Sequence, residues 1–182
     1  MIEHEDINLV KQVLKGEKKA FEGLVDKYQK PIFNAVYRMV QNFDDAEDIT
    51  QRVFIKAFES LDVYNIRYKF FSWIYRIAIN ESINFINQKK RKEELSDDLI
   101  FREKTPEEEY IESELNEKVQ EALMYIDPNY RILIVLKHFQ DCSYKEMSYI
   151  LDIPEKKVKS RLFTARGLLK DVLITKGTIT ND

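Results

Sequence analysis

Several residue types that organise small proteins are nearly missing from this chain. It has a single cysteine, Cys142, so no intrachain disulfide and no multi-cysteine zinc site can form, and its thiol reads as inert. The only two histidines, His4 and His138, are far apart. No His/Cys/Asp ligand cluster, glycine-rich phosphate loop or nucleophile elbow occurs, so the sequence gives no catalytic residue, metal site or cofactor. Four glycines and four prolines in 182 residues argue against an all-β fold with many turns. There is no apolar run long enough to span a bilayer. The start, Met1-Ile2-Glu3-His4-Glu5-Asp6, is acidic and lacks the basic-then-apolar layout of a signal peptide. A protein of the cytoplasm with no membrane insertion is expected.

What is present is helical patterning and unevenly placed charge. A hydrophobic content of 44% allows real cores, and 34% charged residues suit a soluble helical chain. The formal net charge of −3 conceals a segregated distribution: Glu93 to Glu114 holds ten acids and two bases, leaving +5 for the remainder. A phosphate backbone responds to the local field, so the acidic total does not argue against nucleic-acid binding.

Apolar spacing predicts a short helix over Asp6 to Leu14, ended by Gly16, and a long one over Ala20 to Val40 that Pro31 should bend or split. Asn42-Phe43-Asp44-Asp45 supplies a break and a good N-cap. A helix follows from Ala46 to Leu61, then a loop over Asp62 to Lys69 and a helix over Phe70 to Lys89. The acidic stretch reads as a flexible linker, 93–111. A second helical unit begins near Pro106 to Tyr110, is interrupted at Asp127-Pro128-Asn129, and resumes from Arg131 to Phe139. The fold class is therefore all-α, with two small helical domains, 1–92 and 112–174, and a polar tail, 175–182.

Two stretches carry chemistry. The first is Tyr144 to Arg166, a short helix, a turn near Asp152 to Pro154, and a basic helix. Met147, Ile150 and Leu151 face one way on the first; Val158, Leu162, Ala165 and Leu169 line the second. Between Glu155 and Lys170 there are six cations and one acid. That pattern suits a helix-turn-helix whose second helix enters a major groove. The other stretch interleaves Tyr64, Tyr68, Phe70, Phe71, Trp73 and Tyr75 with Arg67, Lys69 and Arg76, and Asn80 follows. Cations hold phosphates, aromatic faces stack on unpaired bases, and an amide can read a base edge, which is what holding opened DNA requires. Phe70 and Trp73 are weighted toward the core, and Tyr64, Tyr68 and the loop cations toward DNA.

The order Ala20-Phe21…Leu24…Tyr28, then Asp45 to Ala57, then Phe71 to Asn80, resembles the promoter-melting domain of bacterial sigma factors. Tyr144…Val158-Lys159-Ser160-Arg161-Leu162…Ala165-Arg166 is similar to that family's −35 reading domain. With only a linker between them, the chain resembles the compact extracytoplasmic-function (ECF) subfamily. The resemblance implies binding to core RNA polymerase, through its β′ clamp helices and β flap, and to promoter DNA. An anti-sigma partner that holds the protein inactive is implied as well. Carried over by position, Asp45, Glu47, Asp48, Gln51, Phe54, Lys56 and Ala57 match the polymerase-binding helix. Tyr64, Arg67, Tyr68, Lys69, Phe71, Arg76 and Asn80 match the −10 site. Lys156, Lys157, Lys159, Ser160, Arg161, Thr164 and Arg166 match the −35 helix. Asp152 stands where the family usually has a turn glycine, which implies a strained or looser turn. Glu155-Lys156-Lys157 replaces a small-residue entry, and Asn84 a common aspartate. A stand-alone helix-turn-helix regulator of duplex DNA and a protein-binding helical adaptor remain the rival readings.

Overall fold

The computed structural model describes residues 2–93 and 114–179; the acidic stretch expected to be a linker lies outside them. Apolar stripes set the helices, and three of them begin at a side-chain N-cap, Asn42, Asp127 and Ser143. Helix α1 (Ile2–Leu14) ends before Gly16, whose φ of 103° is open to glycine at no steric cost. Helix α2 (Ala20–Val40) runs through Pro31 unsplit. Tyr28, Ile32, Ala35 and Val36 are all buried on its inner face, so packing on both sides of the proline offsets the lost hydrogen bond. Gly23 lets α1 come close: a Cβ there would sit 3.2 Å from Leu9 Cδ1. Helix α3 (Phe43–Glu59) is capped by Asn42, whose Oδ1 accepts from Asp45 N at 2.9 Å, with Asp44 and Asp45 at the positive end of the dipole. A 3₁₀ turn, Leu61–Val63, leads into a loop and then α4 (Phe70–Glu93).

Beyond the undescribed stretch come α5 (Glu114–Met124) and α6 (Pro128–Ile134), the latter capped by Asp127 with proline at its first position. The expected helix to Phe139 is not uniformly α. Val135–Phe139 widens into a π segment, in which Gln140 N donates to Val135 O at 3.2 Å. Helices α7 (Tyr144–Leu151) and α8 (Glu155–Thr175) form the helix-turn-helix. Ser143 and Glu146 make a reciprocal capping box at the start of α7. Asp152 closes it in the left-handed region, φ 54°, where aspartate is tolerated without glycine's freedom. Pro154, at the end of the expected turn, is the N-cap of α8.

Helices α1–α4 enclose one apolar centre (Leu24, Ile32, Ile49, Val53, Ile74), and α5–α8 another (Leu123, Ile132, Met147, Val158, Leu162), all less than about 3% exposed. Each such side chain contributes on the order of 1.5–3 kcal/mol by leaving water. The two centres are continuous in the folded chain, because α4 packs along α7 and α2 reaches the π segment and α5. Polar bolts cross the same seam. Tyr75 donates its hydroxyl to Gln140 Oε1. The Arg38 guanidinium lies 3.8 Å from the Phe139 ring centroid and donates to Gln120 Oε1 at 3.3 Å. Arg131, 4% exposed, donates to the carbonyls of Leu123, Met124 and Ile126 and, across the seam, of Met39. Burial lowers its guanidinium to about 10, which leaves it charged at neutral pH. No strand occurs among the described residues.

Candidate nucleic-acid and polymerase interfaces

The basic helix α8 buries Val158, Leu162 and Ala165 and turns its polar residues outward. Lys156, Lys157, Lys159, Ser160 and Thr164 are exposed, and Arg161 is half-buried. Between Arg161 and Thr164 stands Phe163, 80% exposed. An aromatic ring left in water amid cations is the one feature of this surface that reading by charge passed over; its place off the Val158–Leu162 stripe was the available signal. Arg166 is exposed but engaged, its Nε donating to His138 Nε2 at 3.1 Å. That bond needs a neutral imidazole, and partial desolvation of the otherwise exposed ring, with Arg166 and Lys137 alongside, lowers the His138 pKa.

On the first domain the expected −10 residues separate into two groups. Arg67, Tyr68, Lys69 and Asn80 are exposed, and Phe71 and Arg76 half-buried, along the loop and the outer side of α4. Tyr64 lies under that surface instead, at 7% exposure. Its ring packs on Phe70 and Trp73, with centroids 5.6 and 5.1 Å away, and its hydroxyl donates to Tyr68 O at 2.6 Å. This corrects its assignment to direct DNA contact: Tyr64 shapes the loop from beneath. Phe70 and Trp73 are core, as weighted. Phe71 leans on Tyr75 with centroids 4.3 Å apart.

The polymerase-binding set divides along the helical period. Glu47, Asp48, Gln51 and Lys56 are exposed on α3, and Asp45 is half-buried and paired with Lys89 at 3.1 Å. Lys56 pairs with Glu81 at 2.6 Å. Phe54 (8% exposed) and Ala57 (0%) share the inner face with Val53 and pack into the core, so neither presents a side chain to a partner. Glu47 and Gln51 line an open groove of about 410 Å³ between α2 and α3. Its lining includes Phe33 and Phe43, centroids 5.1 Å apart, to which the sequence reading gave no part in binding.

The loop of the first domain and α7 of the second face each other across a cleft of about 360 Å³. The Tyr68 and Tyr149 rings stack, 4.2 Å between centroids and 25° between planes. Lys69 Nζ lies 3.2 Å from Glu146 Oε1, and Arg76 Nη2 lies 3.0 Å from Asp152 Oδ2. A smaller cleft of about 100 Å³ is lined by both Asn80 and Arg161. No described helix is long and apolar enough to cross a membrane.

Comparison with known proteins places these surfaces in a family. The sigma-70 region 2 family model matches residues 24–92, and the sigma-70 region 4 model matches residues 116–169. The ECF RNA polymerase sigma factor SigW of Bacillus subtilis is 35% identical over 176 residues, covering 90% of this chain and 94% of its own. The ECF RNA polymerase sigma-E factor of Escherichia coli is 34% identical over 170 residues, covering 87% and 88%. The fold is also that of the sigma factor RpoE of Bartonella quintana, solved in complex with the anti-sigma factor NepR. That match has a TM-score of 0.70 at 21% identity and covers 85% of this chain and 97% of that one. With both regions matched in order and relatives aligned along nearly its whole length, the chain belongs to the sigma-70 family of RNA polymerase sigma factors, in the extracytoplasmic-function subfamily.

Proposed function

We propose that this chain binds core RNA polymerase and directs promoter-specific initiation, with the two DNA grips and the polymerase surface divided among named residues. The observation that carries this reading is the pairing of an exposed cationic reading helix, α8, with a separate loop and helix bearing Tyr68, Lys69, Arg76 and Asn80. Lys156, Lys157 and Lys159 hold phosphates of the −35 element, which positions the helix without reading sequence. Arg161 reads a base edge, and Phe163 contributes apolar contact with a thymine methyl. Arg67, Lys69 and Arg76 hold the backbone of the opened −10 strand, Tyr68 stacks on a base, and Asn80 reads another. Phe71 supports that face by its contact with Tyr75.

The α2–α3 groove with Glu47 and Gln51 on its wall takes the clamp helices of the β′ subunit, with Asp45, Asp48 and Lys56 around it. A groove of about 320 Å³ in the second domain, lined by Val119, Phe139, Leu169 and Leu173, suits the β flap. Residues 1–92 and 112–174 are the two working domains, acting in the cytoplasm, where the polymerase is. Bond making stays with the polymerase; this chain supplies recognition and strand opening. An anti-sigma chain is the regulatory partner, as for the relative solved with one. The test is reconstitution: the purified chain with core polymerase and a promoter library should yield promoter-dependent transcripts, and their absence overturns the reading.

A further inference from the structure

We propose that the chain just after α8 is a strap, turned back to seat Ile179 in the apolar groove of the second domain, and that it must leave before a polymerase segment docks there. The proposal rests on the assignment of that groove to the β flap. Val119 of α5, Ile134 of α6, Phe139 of the π segment, and Leu169 and Leu173 of α8 line the groove, and Ile179 stands among them. Of the described residues that follow α8, Lys176 to Ile179, only Ile179 carries a large apolar side chain. It is 40% exposed, so more than half of its surface is covered although its neighbours in the chain are polar or lack a side chain.

The turn that brings it there is fastened in two ways. Gly177 takes the left-handed conformation, φ 69°, which a β-branched residue adopts only under strain. Its N–H donates to Ile174 O at 2.9 Å, and the Thr178 N–H donates to Leu173 O at 2.9 Å. These are the bonds that reverse a chain at a helix C-terminus. Lys176 ties the reversal to α5 and the residue after it. Its ammonium lies 4.1 Å from the Tyr125 ring centroid and 3.6 Å from Glu121 Oε2.

Such caps close many helices, so the turn alone points to no function. Its hydrogen bonds end at Thr178, however, and none of them fixes Ile179. What the reversed chain does beyond capping is carry an apolar side chain into a groove of about 320 Å³ between α5 and α8. A docked segment covers the same lining and so competes with Ile179. One partly covered isoleucine is a weak competitor. The strap therefore lowers flap affinity by the strapped fraction without blocking assembly.

The experiment uses the full chain and core polymerase. Hydrogen exchange compares the free chain with the saturated holoenzyme. The amides of Gly177 and Thr178 should exchange slowly in the free chain and faster on the polymerase, while peptides of α5 and α8 that line the groove slow. Competition with labelled wild type for limiting core polymerase gives relative affinities. Ile179→Ser should bind about threefold tighter, the scale of unseating a partly covered isoleucine. Gly177→Val, strained at positive φ, should match it, whereas Gly177→Asn, tolerated in the left-handed region, should bind as the wild type does. Should Gly177→Val lose helix content, Ile179→Ser alone decides.

Unchanged or weaker binding by Ile179→Ser overturns the strap, since a mere wall of the groove would give that result. Groove protection beside a tail that exchanges alike in both states overturns the strap alone. No groove protection on the polymerase overturns the flap assignment and the strap with it.

Discussion

Arg131 is a buried cation whose listeners are all backbone carbonyls, three at the α5–α6 junction and one, Met39 O, at the end of α2. Replacing it with methionine keeps the apolar stem and strands those oxygens. Arg131→Met should lower the unfolding free energy by about 3 kcal/mol in urea titration, the scale of leaving buried polar groups unpaired; a loss within the error of the wild-type curve would refute the role. His138 makes a different residue-scale prediction. Its folded pKa lies below the ordinary value, since partial desolvation and the cations Arg166 and Lys137 disfavour the imidazolium. The unfolded chain therefore binds the proton more readily. The stabilisation is complete above the ordinary 6.5 and is lost as pH falls through the lower folded value. His138→Gln, which still accepts from Arg166, should flatten the decline in thermal midpoint between about pH 7 and pH 5. Neither role was legible beforehand: Arg131 read as one more cation opening a helix, because sequence spacing does not reveal which carbonyls a tertiary fold leaves unpaired.

Among the elements, local chemistry and tertiary packing account for different parts of the result. The Asn42 cap, the Gly16 stop and the stripes of α3, α4 and α8 were readable, since each is decided within a few residues by backbone donors or helical period. The uninterrupted α2 was not, because burial of Tyr28 and Ile32 on either side of Pro31 overrides a local penalty. The π segment at Val135–Phe139 was missed for a similar reason: it stands where Tyr75 of the first domain reaches Gln140. Tyr64, Phe54 and Ala57 were assigned to surfaces by position in a motif; the helical period turns Phe54 and Ala57 inward, and packing on Phe70 and Trp73 buries Tyr64 in the loop. Helix α7 shows one cap serving two ends. Burial raises the Glu146 carboxyl, but the Ser143 hydroxyl and N–H, with Lys69, outweigh it and hold it below its usual range. Ser143→Ala should cost about 1 kcal/mol, and hydrogen exchange should quicken first at the amide of Glu146. Uniform exchange along α7 would show that the cap does not govern its stability.

For the molecule as a whole, the fold class and the two-domain plan could be read from the chain, but their apposition could not. Tyr68–Tyr149 and Arg76–Asp152 join residues more than seventy positions apart, and no periodicity reports such pairs. The apposition makes a prediction about how the two DNA grips combine. Asn80→Ala should change base preference within the −10 element, and Arg161→Ala should weaken −35-dependent initiation by roughly 1–3 kcal/mol while core binding is retained. In the free chain these two residues share a cleft, and substitutions that share surroundings couple. On a promoter their targets are separated by tens of ångströms, and the free-energy effects should add. A double-mutant cycle on initiation rate should therefore show coupling below about 0.5 kcal/mol. Coupling well above that would mean that the seam survives on the polymerase, with one grip still facing the other during initiation.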